Sequence, residues 1–325
     1  MAFWQVTVVV IFLIGLVGRL QGAGMDTGSN PSAERKGKGV VGVHYLFAFG
    51  KEGRGPGEFV GPFGIHWAEG QLYIIDDLGH SISVFGEDGS FKKRLGHKGH
   101  APGEFAFPDS LAKGPDGLLY VADTGNNRLQ ILDDSGRCLE IIKGWGLWKR
   151  FRNPRDVFWS PQGRLLVVDW GNHKVHVFSS QKKHLFSFGG QGQKEGKFHH
   201  PIAVVEVNGK IYVSDFKNHR IQVFDSQGCF LFAFGGKGTA LGKFNHPSGL
   251  AADKEGRLYV ADWGNHRIQI FSLDGQFLGA FGGKGKDKGL FIKPTDLTVT
   301  PQGRIYVIDS GNHRVQVFQM RELIK

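Results

Sequence analysis

The 325 residues predict an all-β fold, a six-bladed β-propeller, and three observations predict it. A short apolar run ending in Asp recurs six times, as LYIIDDLGHSISVF, LYVADTGNNRLQIL, LLVVDWGNHKVHVF, IYVSDFKNHRIQVF, LYVADWGNHRIQIF and IYVIDSGNHRVQVF. Their aspartates, Asp76, Asp123, Asp169, Asp215, Asp262 and Asp309, stand 47, 46, 46, 47 and 47 residues apart, a period characteristic of propeller blades. Each period contains four short runs that alternate apolar and polar residues, the pattern of a four-stranded antiparallel sheet.

The elements of one period follow in a fixed order. In the fifth, FLFAF (230–234) is an outer strand and GGKGTALGKF (235–244) is the connection to the next blade. Pro247 opens the inner strand GLAAD (249–253), the turn KEG follows, then RLYVAD (257–262), the turn WGNH and RIQIF (267–271). Gly supplies positive φ in these turns, while Asn and Asp bond to their own backbone.

Strand counting also predicts the closure of the ring. The last repeat ends after RVQVF (314–318) without an outer strand, and the chain begins its ordered part with a spare one, VHYLFAF (43–49). The N-terminal strand is therefore expected to complete the sixth blade and remove an exposed sheet edge. The expected organisation is a leader or anchor over 1–23, a flexible linker over 24–42, the propeller over 43–319 and a short tail over 320–325.

The repeated Val-Ala-Asp-x-Gly-Asn-His-Arg-Ile-Gln-Val-Phe, preceded by Phe-Gly-Gly-x-Gly, Phe and Pro, closely resembles the NHL repeat from about residue 43 to 318. The first repeat departs from it, with Gly79 and Ser81 where the second has Asn126 and Arg128. The resemblance implies a six-bladed propeller. It also brings two functional comparisons, the RNA-binding propellers of tripartite-motif proteins and the peptidyl-hydroxyglycine amidating lyases.

The recurring Asp, Asn and Arg (or Lys174) read as fasteners of each blade, because a catalytic group should appear once and these appear in nearly every copy. His80, His173, His219, His266 and His313 share one turn position and are assigned to the repeat rather than to a metal. In the amidating lyases, zinc-binding histidines directly follow the blade-opening prolines. Here those positions hold Phe63, Asp109, Arg155, Ile202, Ser248 and Thr295. No Gly-x-Ser-x-Gly elbow or Walker loop is present either. The expectation is a protein that is not an enzyme and that needs no cofactor and no metal.

Residues 1–23 contain an uncharged apolar stretch, Val6 to Val17, of signal-peptide rather than membrane-spanning length. A secreted or periplasmic protein is the leading expectation. A retained membrane anchor, or a cytoplasmic protein translated from Met25, is the alternative. Cys138 and Cys229 lie two repeats apart, too far for a disulfide. Two cysteines also provide no RING module, so a ubiquitin-ligase role would require a separate protein for which this chain acted as substrate adaptor.

The formal net charge is +10. Many cations fall in the connections between blades, including Lys149, Arg150, Lys194 and Lys237, which in a propeller share a face with the turn after each repeat Asp. The residue following that Asp varies, as Asp77, Thr124, Trp170, Phe216, Trp263 and Ser310. The candidate ligand-binding residues are therefore Trp170, Phe216, Trp263 and the blade-opening Arg155, with Lys149, Arg150, Lys194 and Lys237 around them. A protein, peptide or glycan partner is expected on this face, a polyanion such as RNA is the alternative, and the propeller is expected to be a monomer.

Overall fold

The structure, a computed structural model, describes residues 42–146 and 149–320. The expected leader at 1–23, the linker before Gly42 and the tail residues 321–325 lie outside the described residues. Among the described residues, no helix is long and apolar enough to cross a membrane.

Among the described residues, twenty-four strands form six four-stranded antiparallel sheets. Blade one consists of β2 (Pro62–Ala68), β3 (Gln71–Asp76), β4 (Ser81–Gly86) and β5 (Phe91–Leu95). Blade two is β6 (Pro108–Lys113), β7 (Leu119–Asp123), β8 (Arg128–Leu132) and β9 (Cys138–Ile142). Blade three is β10 (Pro154–Trp159), β11 (Leu165–Asp169), β12 (Lys174–Phe178) and β13 (His184–Gly189). Blade four is β14 (Pro201–Val207), β15 (Lys210–Asp215), β16 (Arg220–Asp225) and β17 (Phe230–Gly235). Blade five is β18 (Pro247–Ala252), β19 (Arg257–Asp262), β20 (Arg267–Ser272) and β21 (Phe277–Gly282). Blade six is β22 (Pro294–Val299), β23 (Arg304–Asp309) and β24 (Arg314–Met320), completed by the N-terminal β1 (Val43–Phe49). β1 pairs with β24 from Val43 opposite Met320 to Phe49 opposite Val315, the closure expected from the spare strand.

Six apolar clusters lie between neighbouring blades, one per interface, because the two middle strands bury side chains on both faces. Between blades four and five, Tyr212, Ile221 and Val223 meet Leu258, Val260 and Phe271. Each connection contributes a buried phenylalanine, Phe59, Phe105, Phe151, Phe198, Phe244 or Phe291. Burying one such ring stabilises by about 1.5–3 kcal/mol. The ring lies so close to the backbone that a Cβ on Gly235, whose φ is +102°, would sit 2.4 Å from Phe244 Cδ2. Glycine is required there both for space and for conformation.

The fourth turn residue, for example His266 with φ 58°, is left-handed. Asn and His tolerate this region better than branched residues. Expected outcome for the core: Phe244→Ala should cost about 3–5 kcal/mol in urea unfolding, the usual penalty for a buried ring removed from a packed site.

Candidate functional site

The repeat aspartates organise the face that carries the connections. In blade five, Asp262 Oδ1 accepts from Asn245 N–H at 2.8 Å. Its Oδ2 accepts from Asn265 Nδ2, Arg267 Nε and Gln269 Nε2 at 2.8, 2.8 and 3.0 Å. Arg267 Nη2 donates onward to the carbonyls of Ala240 and Lys243, and Gln269 holds the same loop through Lys243 O and Gly242 N. The aspartate is fully buried, so its charge is compensated inside a closed network.

Blade one lacks the arginine after the turn, and a different strand replaces it. Arg94 of β5, opposite Ser83, donates to Arg54 O, Gly55 O and Glu58 O at 2.7, 2.7 and 3.1 Å. These are the loop positions that Arg128 reaches in blade two at His100, Ala101 and Glu104.

The shared turn histidines bind blade to blade. His80, His173, His219 and His266 each accept at Nδ1 from the N–H of the residue preceding the next blade's proline: Phe107, His200, His246 and Lys293, at 3.0–3.1 Å. Asn127 does the same for Asn153. All five pre-proline residues have positive φ, and proline disfavours helical backbone before it, so the bond holds a strained junction. Burial pushes these four histidines below their ordinary pKa, as a neutral acceptor requires. His313 Nδ1 is buried without a partner, because the corresponding Gly61 N–H donates to Asp76 Oδ1.

The residues after the aspartates surround the channel mouth on this face. Trp170 stacks on His200 with centroids 3.9 Å apart, Phe216 lies 4.6 Å from His246, and Lys293 Nζ sits 4.8 Å over the Trp263 ring. Each aromatic thus covers the strained junction of the next blade and remains partly exposed. Phe216 and Trp263 are neighbours at 6.1 Å, and Trp170 holds the equivalent turn on blade three, so the three predicted aromatics stand in a row at equivalent positions of adjacent blades.

Arg155 stands at the same mouth. Its Nε and Nη2 donate to Asp109 at 2.8 and 3.3 Å, and its guanidinium lies 4.8 Å over Phe63 and 5.8 Å over Trp170. Lys149, Arg150, Lys194 and Lys237 are exposed on the connections. The structure therefore unites Arg155 with Trp170, whereas Lys194 and Lys237 stay outside the row and Lys293 is the lysine that meets it. Arg150, Lys143 and Arg152, with Asn126, Asn127 and Asn172 over Phe151, line a hollow of about 530 Å³ between blades two and three.

Sequence reasoning missed the acidic partners. Asp77 has a buried Oδ1 without a hydrogen-bond partner, and burial, with the nearby Asp109 charge, pushes its carboxyl up to about 7 despite Arg155. Further along the inner strands, Asp156 accepts from Ser110 Oγ and Val204 N–H and is pushed up to about 6 by burial. Burial likewise raises Asp296, which accepts from Ile65 N–H. Asp77 could have been found from its position, since it is the one acid in the variable ring of turn residues.

A family model of the NHL repeat matches residues 200–224, 244–271 and 291–318, and one described as a six-bladed β-propeller matches 61–134. The fold defines a six-bladed β-propeller, and the chain is an NHL-repeat propeller protein. No curated protein sequence matches it. Among solved structures, a streptogramin B lyase is 12% identical, covers 86% of this chain and 98% of its own, and has a TM-score of 0.62. Virginiamycin B lyase from Staphylococcus aureus is 13% identical, with coverages of 80% and 95% and a TM-score of 0.57. A gluconolactonase from Xanthomonas campestris is 16% identical, with coverages of 81% and 87% and a TM-score of 0.63.

These likenesses show a shared fold and correct one expectation. The absence of familiar catalytic motifs led to the expectation of a protein that is not an enzyme. These three structural neighbours are themselves enzymes, so that inference does not stand. The physical reason is that catalytic groups are brought together by geometry and not by sequence position, so the absence of a contiguous motif does not exclude a site.

Asp77 yields a pH prediction with a definite sign. Its folded pKa is raised from 3.8, so its contribution to stability is present at low pH and is lost as pH rises through about 7. Asp77→Asn should therefore stabilise more at pH 8 than at pH 5 in thermal melts. Equal effects at both pH values would contradict the assignment.

Proposed function

We propose that the protein recognises a protein, peptide or glycan partner at the channel mouth on the connection-bearing face. One observation carries this reading: Arg155, Trp170 and Phe63 form a cation and aromatic group next to the titrating carboxyl of Asp77. Partly exposed aromatic faces offer stacking surface to a sugar ring or side chain. A guanidinium, although paired with Asp109, offers further donors to a carboxylate or hydroxyl. Asp77 would make recognition respond to pH near neutrality.

A second reading, a polyanion such as RNA on the same face, is favoured by the hollow lined by Lys143, Arg150 and Arg152. The exported setting proposed from residues 1–23 is tested by sequencing the N terminus of protein from its native source.

The partner is tested on peptide and glycan arrays, with heparin and single-stranded RNA as polyanion probes. Trp170→Ala and Arg155→Ala should each weaken array binding at least about tenfold, a loss of about 1.4 kcal/mol. Binding that ignores both substitutions but disappears in the double variant Lys143→Glu, Arg150→Glu would move the site to the basic hollow.

A further inference from the structure

Blade three departs from the repeat in a concerted way on its third and fourth strands. Lys174 replaces the fastening arginine, His176 stands where blade four has Gln222, and Ser187 stands where blade four has Ala233. In the second, fourth, fifth and sixth blades the aspartate is ion-paired with Arg128, Arg220, Arg267 or Arg314. Lys174 is exposed, so Asp169 has no guanidinium against it. Its carboxylate instead accepts from Arg152 N–H at 2.9 Å, Asn172 Nδ2 at 2.8 Å and His176 Nε2 at 3.2 Å.

His176 does not simply repeat the work of the glutamine. Gln222 holds its blade's connection through Lys197 O and Gly196 N. His176 turns across the sheet to its cross-strand neighbour, and its Nδ1 lies 2.6 Å from Ser187 Oγ. Ser187 Oγ lies 2.7 Å from His184 Nε2. One proton arrangement satisfies every contact. His184 Nε2–H donates to Ser187 Oγ, Ser187 O–H donates to His176 Nδ1, and His176 Nε2–H donates to Asp169.

We propose that Ser187, His176 and Asp169 form a second chemical site, in which Ser187 is a nucleophile toward carboxylic esters, His176 is its base, and Asp169 orients the imidazole. A nucleophile and base within hydrogen-bond reach, with the base oriented by a carboxylate, are the geometric requirements for this chemistry. Burial holds the His176 imidazole below its ordinary pKa, and the Asp169 carboxylate, with no arginine against it, works in the opposite direction and favours the imidazolium formed during attack. Ser187 and His184 are partly exposed, and Trp145 stacks on His184 with its ring planes 9° apart, giving the site an aromatic wall.

In the reaction, Ser187 Oγ bonds to the ester carbonyl carbon while its proton passes to His176 Nδ1. The carbon–alkoxide bond then breaks, and His176 returns the proton to the leaving alcohol. Water attacks the acyl-serine with the same base, releasing the carboxylic acid and restoring Ser187. The charged and titratable groups facing His176 are Asp169, Lys174 and His184, with Lys149 beside His184. This site is independent of the channel mouth, so failure of either reading leaves the other standing.

The test uses the full chain and a fluorophosphonate probe, which bonds phosphorus to a nucleophilic serine with loss of fluoride. Peptide mapping should find the adduct on Ser187, formed faster as pH rises and His176 loses its proton. His176→Gln and Ser187→Ala restore residues that other blades carry, so both should fold, as checked by circular dichroism. His176→Gln should slow labelling at least about 100-fold, the usual contribution of a positioned base, and Ser187→Ala should abolish it. Hydrolysis of p-nitrophenyl acetate should fall in parallel. No adduct on Ser187, or an unchanged labelling rate in His176→Gln, would overturn the proposal.

Discussion

A buried carboxylate at the end of the second strand of each blade is the constraint from which the rest of this propeller follows. An ionised Asp without water must be surrounded by donors, and in this fold the donors come from three places. The connection entering the blade offers a backbone N–H, the turn offers Asn, and the third strand offers Arg and Gln. Satisfying one charge therefore binds loop, turn and strand together. The channel mouth then has a fixed frame on which Trp170, Phe216, Trp263 and Arg155 keep their places.

The second recurring interaction, a turn histidine accepting the N–H of the next blade's pre-proline residue, joins these units into a ring. It requires neutral imidazole, and burial maintains that form. At the closure between blades six and one the bond is missing, since Gly61 serves Asp76 instead of His313. Closure there rests on the pairing of β1 with β24 and on the packing of Phe59 and Ile74 against Tyr306 and Val317. Blade three departs in a different sense, with a histidine and serine in place of glutamine and alanine.

Much of the fold was legible because each blade repeats the same solution. The Asp period, the alternating strands and the spare N-terminal strand all follow from local residue patterns. Arg94 was not legible as a fastener, since it occupies a different strand from the arginine it replaces and only the cross-strand register with Ser83 reveals the exchange. The aromatic row could be read from the variable position after each Asp, but its contact with His200, His246 and Lys293 depends on the twist between blades. Asp77, Asp109 and Arg155 come from separate periods and meet only in the closed ring. The chain from Asp169 to His184 spans three consecutive strands of one blade and was hidden for a different reason: within a repeat, a substituted residue looks like drift until its neighbours are seen to have changed with it.

Amide hydrogen exchange across the connections tests the role of the buried carboxylates most directly. The account predicts slow exchange for Ala106, His199, Asn245 and Ile292, whose N–H groups donate to the repeat aspartates, at rates approaching those of the middle strands. It also predicts that Asp262→Asn accelerates exchange throughout 236–245 while leaving β14 and β15 unchanged. Connections that exchange as fast as free loops in the unaltered protein would contradict the claim that these aspartates hold the functional face.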